Sequence, residues 1–183
     1  MSLCDGCAIR LFNTKHYNLQ GIGNPWSGNC IVIPTVDYDA YISGNLAYSK
    51  QVEIIQQVLS STGEVTETLY LVPLIRCNTN IGCEIDDNAY NRCIRYFAKD
   101  VKTYNIKHIL LLGDAGRRFL NCEITSRLNT LIVSKNARYY NVNYSPLIKY
   151  KDSDKFEVFK DYLIKWYNNA RTNFEYNDYE LLI

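Results

Sequence analysis

The stretch Thr68–Ile75, with the sequence TLYLVPLI, is the clearest indication of the fold. Two similar apolar runs lie on either side of it in the chain, CIVIP at Cys30–Pro34 and HILLL at His108–Leu112. Apolar runs without polar alternation are typical of strands that are covered on both faces in a parallel sheet. Arg138–Val142 is a fourth candidate strand, and Thr130–Val133 is a shorter neighbour of it.

Segments with helical spacing separate the predicted strands. Ser49–Leu59, Asp86–Val101 and Asp154–Trp166 place apolar residues three or four positions apart, which is the period of one helix face. Two acidic residues open the second segment, where they favour a helix N-terminus. Strands that alternate with helices predict an α/β protein. We therefore expect a three-layer α/β/α sandwich around a central, mainly parallel four-stranded sheet.

Length and composition favour one globular domain over residues 1–183. The chain is 47% hydrophobic and 21% charged, and 183 residues are enough to bury a core. The tail Asn173–Ile183 alternates acidic and apolar residues, and we expect flexibility from about residue 172. The sequence has neither a run of roughly 18 apolar residues nor a signal-peptide core. We therefore expect no membrane partner and a cytoplasmic location, in a bacterium or a virus-infected host cell.

The seven cysteines need an explanation, because disulfides are rare in a reducing cytoplasm and an odd number cannot pair completely. Cys4 and Cys7 form a C-x2-C pair, which can present two thiolates to one metal. Three more lie close together later in the chain: Cys77, Cys83 and Cys93. Two pairs brought together by the fold would bind zinc or an iron–sulfur cluster, whereas buried inert thiols are the alternative. We expect inert thiols at Cys30 and Cys122.

Several short motifs resemble one family, with a spacing more specific than any single motif. They are Gly21–Pro25 (GIGNP), Ile31–Ile33, Tyr70–Cys77, Cys93 and Leu111–Gly113. Cys77 and Cys93 are sixteen positions apart, and Gly113 follows twenty positions after Cys93. In these features the sequence resembles the family 4 uracil-DNA glycosylases, the iron–sulfur type. The resemblance extends from about Gly21 to Gly113 and implies a uracil-DNA-glycosylase-like fold.

The resemblance implies a 4Fe–4S cluster held by four of the cysteines: Cys4, Cys7, Cys77 and Cys93. Such a cluster would have a structural role and would tie the N-terminus to the loop and helix after the second long strand. Zinc would satisfy the same four sulfurs, and Cys83 is the nearest competitor for a ligand position.

The positions that carry the family's chemistry hold other residue types here. The glutamate that acts near the attacking water falls on Pro34, the stacking phenylalanine on Ala47, the asparagine that reads the uracil edge on Pro73, and the late histidine on Ser145. A uracil glycosylase needs an acid, a snug base pocket and donors for the departing base. The resemblance therefore implies a glycosylase fold without catalytic residues.

Two acidic residues keep an alternative open. Asp37 and Asp39 follow the first long strand, where open α/β sheets place ligands, and either carboxylate would orient water for another base. The other interpretation is that they cap or solubilise the loop. Of the two histidines, His16 lies in the N-terminal loop and His108 begins a strand. We expect a structural role for His108.

Two segments are candidates for contact with DNA. Arg117 and Arg118 follow the turn at Gly113, so they and the turn's N–H groups would hold a phosphate, or they form a plain strand-to-helix turn. Leu147 and Lys149 lie where the family inserts a residue into DNA, so this segment would insert into DNA, contact a protein partner or only begin the last helix. A net charge of +1 means that any basic surface must be a local patch.

We therefore expect a glycosylase-like accessory subunit, without catalytic residues, that binds DNA or scaffolds replication or repair proteins such as a polymerase. Its 16 tyrosines and its richness in Asn, Ile and Lys are typical of an AT-rich genome, such as a viral one. Two alternatives remain. One is an active DNA glycosylase of altered base specificity that uses Asp37 or Asp39, and the other is a protein–protein interaction module without nucleic-acid contact.

Overall fold

The computed structural model describes residues 3–60, 68–79, 85–121, 128, 131–134, 138–171 and 180–181. The strands are β1 (Ile22–Gly23), β2 (Asn29–Val36), β3 (Tyr70–Asn78), β4 (His108–Leu112), β5 (Ile132–Val133), β6 (Tyr139–Asn143) and β7 (Glu180–Leu181). The helices are α1 (Ala8–Phe12), α2 (Tyr38–Ser43), α3 (Lys50–Leu59), α4 (Asp87–Thr103), α5 (Asp114–Leu120) and α6 (Ser153–Arg171). Short 3-10 turns cover Pro25–Ser27, Leu46–Tyr48 and Pro146–Tyr150.

The strands form one mostly parallel sheet in the order β1-β3-β2-β4-β6-β5-β7. The four inner strands, β3, β2, β4 and β6, are parallel, while β1 and β5 pair antiparallel with their inner neighbours. The predicted α/β class and mainly parallel sheet are confirmed. The sheet has more strands than the four predicted, because the described residues add three strands of two residues each. Of these, β5 lies within the shorter candidate Thr130–Val133, whereas β1 and β7 were not predicted.

Helices cover both faces of the sheet, because successive side chains of a strand point to opposite sides. Ile31 and Ile33 of β2 belong to a core cluster that includes residues of α3 and α6. Cys30 and Val32 belong to the opposite cluster, which includes residues of α4 and α5. Both clusters consist largely of side chains with almost no exposed surface. This arrangement explains why the three predicted strands at Cys30–Pro34, Thr68–Ile75 and His108–Leu112 are largely apolar.

Two of the predicted helices, α3 and α4, begin directly after a capping residue. The side chain of Ser49 accepts a hydrogen bond from the Gln51 N–H, and the side chain of Asp86 accepts one from the Ala89 N–H. Such caps satisfy N–H groups that have no partner within the helix. The expectations for Cys83, Cys122 and most of the C-terminal tail lie outside the described residues. No helix of the described chain has the length and apolar character needed to cross a membrane.

The sheet topology places a switch point between the carboxyl ends of β2 and β4. The chain passes from β2 to β3 on one side and from β4 to β6 on the other, so the connections diverge at this point. The β2–β4 ladder ends at the pair Val32 and Leu111, although β2 continues to Val36. Open α/β sheets bind ligands at such a switch point. A glycosylase site would therefore be expected at this edge of the sheet.

Candidate functional site

Four cysteines from three parts of the fold line one small cavity: Cys4, Cys7, Cys77 and Cys93. Each is at least 92% buried. Two come from the N-terminal turn and the start of α1, one from β3 and one from α4. The four predicted metal ligands are therefore brought to one place by the fold.

The local backbone explains how the first two thiols come to lie together. The Cys7 N–H donates to the Cys4 carbonyl oxygen at 3.2 Å, which closes a tight turn. Gly6 within this turn has a φ of +73°, a conformation that glycine adopts without steric cost. Apolar side chains surround the cavity, including Ile9 and Ile75. A Cys-x2-Cys turn of this kind presents two sulfurs to one centre.

The chemistry of these thiols fits a soft metal group. All four are free thiols rather than disulfides. Burial raises the pKa of Cys77 to about 12 and also raises the pKa of Cys93, with the neighbouring cysteines adding to both effects. Metal binding replaces the thiol protons and provides the positive charge that buried thiolates need. Among the described residues no three His, Cys, Asp or Glu side chains already form a metal-binding group, so the fit rests on the shared cavity and the donor type.

Cationic side chains line the same cavity. Arg76 is only 2% exposed, and its guanidinium donates to Asp100 and to Gln20 Oε1, the latter at 2.9 Å. Arg10 and Arg92 also line the cavity. Positive charge beside four thiolates lowers the cost of ionising them. These arginines were not predicted from the sequence: Arg10 and Arg92 lie on helices, where arginine is usually exposed to solvent, and Arg76 follows directly after the predicted strand Thr68–Ile75.

The four positions expected to have lost the glycosylase side chains lie at or near the carboxyl edge. Pro34 in β2 and Pro73 in β3 occupy adjacent strands, where Ile33 is paired with Pro73. Ala47 is exposed in a 3-10 turn. Ser145 caps the turn after β6 by accepting from the Leu147 N–H at 3.4 Å. None of these side chains offers an acid or a base.

Asp37 and Asp39 both have structural partners. Asp37 is the N-cap of α2, where Oδ1 accepts from the Ala40 N–H at 3.2 Å and Oδ2 accepts from Ser49 Oγ at 2.6 Å. Asp39 lies in the first turn of α2 and forms an exposed ion pair with Lys50 at 3.6 Å. These contacts agree with the capping interpretation of the two aspartates. Their use in catalysis remains an untested alternative.

One buried amide near this edge was not predicted from the sequence. Gln51 is 3% exposed, and its Nε2 donates to the Thr35 carbonyl oxygen at 3.1 Å, close to the carboxyl end of β2. Its Oε1 accepts no hydrogen bond from the described residues. The burial of Gln51 could not be predicted from the sequence, because a glutamine in the first turn of a helix is typically exposed.

The two histidines occupy packed positions. A side chain at Gly44 would collide with the ring of His16, so these two residues lie in close contact. His108 is 5% exposed and stacks on Tyr139 with ring centroids 5.1 Å apart. Burial lowers the pKa of His108. These positions favour structural roles for both histidines.

The predicted phosphate contacts lie on α5, a helix of only seven residues. Arg117 Nε and Arg118 Nε donate to the two oxygens of Asp114 at 2.7 and 2.8 Å. Burial acts to raise the pKa of Asp114, but hydrogen bonds and charge from both arginines outweigh it and lower the pKa. Asp114 therefore offsets part of the positive charge that would attract a phosphate.

The second predicted DNA-contacting segment begins next to α5. The Gly113 N–H donates to the Asn143 carbonyl oxygen at 2.8 Å, which joins the ends of β4 and β6. Leu147 is half-buried and packs against the core. Lys149 is exposed, and its Nζ donates to Gln57 Oε1 at 3.4 Å. Of the two side chains, Lys149 has the exposure that a DNA contact requires.

Comparison with known proteins adds no family assignment. Neither the protein-family models nor the curated proteins compared with this sequence match it. The resemblance to the iron–sulfur glycosylases therefore depends on the residues and spacings of the sequence itself.

Proposed function

We propose that this protein has a uracil-DNA-glycosylase-like fold, has lost uracil excision, and keeps a metal group on four cysteines. In this proposal it serves as a DNA-binding or scaffolding subunit in DNA replication or repair, viral or cellular. The observation that carries the proposal is the cavity shared by Cys4, Cys7, Cys77 and Cys93. These are the residues that the resemblance assigns as cluster ligands.

The metal group is a 4Fe–4S cluster, with zinc as the alternative at the same sulfurs. When bound, it supplies a crosslink between the N-terminal turn, β3 and α4. Cys4 and Cys7 provide two ligands from one turn, while Cys77 and Cys93 come from elements that already pack together. The crosslink would stabilise the N-terminal segment, because α1 has only five residues and such short helices are marginal alone.

The loss of excision is argued from side-chain chemistry at the carboxyl edge. The side chains of Pro34 in β2 and Pro73 in the adjacent strand β3 supply no proton donor, hydrogen-bond acceptor or base. A uracil edge left without partners would cost about 1–3 kcal/mol per buried polar group. A site of this kind would bind a flipped uracil weakly and would not activate water.

The DNA-binding role is supported by exposed cations near the ends of β4 and β6. Lys149 is exposed, and Arg117 is half-exposed beside Asp114. Contacts of this type carry affinity through phosphate charge, so binding should weaken steeply with added salt.

One sample tests the proposal. The protein is purified without oxygen, its metal and sulfide contents and absorption spectrum are measured, and uracil excision is then assayed on single-stranded and mismatched DNA. We expect a bound metal group and no excision. Cys93→Ser should lose the metal, whereas Cys30→Ala, at a buried thiol outside the cavity, should keep it.

Each part of the proposal would be refuted by a different experimental result. Excision at ordinary enzyme rates would refute the loss of activity, and its disappearance in Asp37→Ala or Asp39→Ala would establish the alternative acid. Equal metal content in Cys93→Ser and the wild type would refute the metal centre. DNA binding that is absent at low salt would favour a protein–protein module instead.

A further inference from the structure

Arg92 connects the helix that carries Cys93 to the turn that carries Cys4. Its Nη1 donates to the carbonyl oxygens of Leu3 at 3.0 Å and Asp5 at 2.6 Å, which lie on either side of Cys4. Its Nε donates to Asn88 Oδ1 at 3.0 Å, one turn earlier in α4. One planar guanidinium therefore holds the backbone on both sides of a predicted ligand.

The rest of the N-terminal segment has a separate anchor. Asn13 is 1% exposed, and its amide exchanges hydrogen bonds with the backbone of Asn78 at 2.8 and 2.9 Å. These bonds attach the end of α1 to the end of β3. The turn before α1 lies outside this anchor. Arg92 is positioned to tie it down.

Tyr96 lies one turn after Arg92 on the same side of α4. Its Oη is 3.5 Å from the sulfur of Cys4. The guanidinium carbon of the buried Arg76 lies over the Tyr96 ring, 5.1 Å from its centre, in a cation–π contact. When Cys4 is a thiolate, only the tyrosine O–H can be the donor in this contact.

Arg92 also differs from the other two arginines of the cavity in its electrostatic partners. Arg10 pairs with Asp5 and Arg76 pairs with Asp100. Within the described residues the hydrogen-bond acceptors of Arg92 are two carbonyl oxygens and an amide oxygen, all of them neutral. Its charge therefore remains available to offset a thiolate-bound metal group, which is negative overall.

We infer that Arg92 and Tyr96 are positioning residues of the cysteine centre. Arg92 fixes the Cys4-x2-Cys7 turn against α4, and Tyr96 donates a hydrogen bond to the sulfur of Cys4. Partners of this kind orient metal ligands, and their removal typically costs 10- to 100-fold in metal affinity. The metal part of this inference rests on the proposed function, whereas the part about the turn does not.

The first test compares the rate at which a chelator removes the metal from four purified variants. We expect about 10-fold faster loss from Arg92→Gln and a smaller acceleration from Tyr96→Phe. Arg92→Lys should lie between Arg92→Gln and the wild type, because lysine keeps the charge without the planar fork. Arg95→Gln is the matched control, since Arg95 is exposed on the same helix. Equal rates for Arg92→Gln and Arg95→Gln would overturn the inference.

A second measurement separates this inference from the metal proposal. Hydrogen exchange of residues 3–7 is followed in metal-free protein, where Arg92→Gln should exchange faster than the wild type and Arg95→Gln should not. If the wild type binds no metal, the proposed centre fails, but this exchange difference still supports the role of Arg92. Unchanged exchange in Arg92→Gln would refute that role even if the metal is present.

Discussion

The contacts of Asp37 lead to a prediction that separates a structural aspartate from a catalytic one. Asp37→Ala removes the N-cap of α2 and also the acceptor for the hydroxyl of Ser49, which is 1% exposed. Loss of an N-cap costs about 1 kcal/mol. Leaving the buried hydroxyl without its charged partner costs about another 1–2 kcal/mol. We expect the free energy of unfolding to fall by about 2–3 kcal/mol.

Asp39→Ala is the matched control, because it removes the same charge from the same helix. Its ion pair with Lys50 is exposed on both sides, and such pairs contribute about 0–1 kcal/mol. Asp37→Asn should lie between the two variants, since asparagine is also a good N-cap. Thermal unfolding followed by circular dichroism measures the difference. At about 2–4 °C per kcal/mol for a chain of this size, Asp37→Ala should lower Tm by about 5–10 °C.

Equal Tm values for Asp37→Ala and Asp39→Ala would refute this reasoning about the cap. The same protein samples also serve for the excision assay. If the wild type excises a base and Asp37→Ala does not while retaining its Tm, Asp37 is the catalytic acid and the structural interpretation is wrong.

Three further predictions concern stability. Gly44→Ala should lower the free energy of unfolding by at least about 1 kcal/mol, because the φ of Gly44 is +72° and a Cβ there would lie 2.7 Å from the His16 ring. The control Gly28→Ala, at a φ of +79° with open space around the Cβ, should lose less stability in the same thermal scan. Because burial lowers the pKa of His108, the unfolded chain takes up a proton on this histidine at a higher pH than the folded chain does. The free energy of unfolding should therefore fall as the pH drops below about 6.5, and His108→Phe should reduce this dependence on pH. Arg76→Met should lower the free energy of unfolding by about 3–5 kcal/mol, because the mostly buried carboxylate of Asp100 loses its cationic partner. A loss of less than about 1 kcal/mol in a denaturant titration would contradict this.

The cysteine cavity lies near the carboxyl edge of the sheet. Cys77 lies near the carboxyl end of β3, next to Asn78, whose backbone is bound to Asn13. A metal crosslink at this point would make the carboxyl edge of the sheet rigid from one side. In the proposed function, a rigid edge of this kind would present a surface to DNA or to a protein.

The sequence alone determined the class of the fold and most of its elements. The apolar run His108–Leu112 matches β4 residue for residue, and Ser49 and Asp86 mark the starts of α3 and α4. These features are local: burial on two faces requires an unbroken apolar run, and a helix start requires a side chain that accepts a hydrogen bond. Of the two-residue strands, β5 lies within the predicted candidate Thr130–Val133, whereas β1 and β7 were not predicted, because so short a segment carries no periodic pattern.

Only the tertiary structure decided which side chains meet. Cys4 and Cys93 are far apart in the sequence, and their common cavity depends on how α1 and α4 pack at the end of β3. The resemblance had assigned the cysteines to one centre, but it did not indicate the contacts of Arg92 and Tyr96 with the Cys4 turn, since an arginine or tyrosine on a helix is typically exposed to solvent. The local pattern of apolar residues predicts which face of a helix or strand is buried, whereas contacts between residues distant in the sequence depend on how the elements pack.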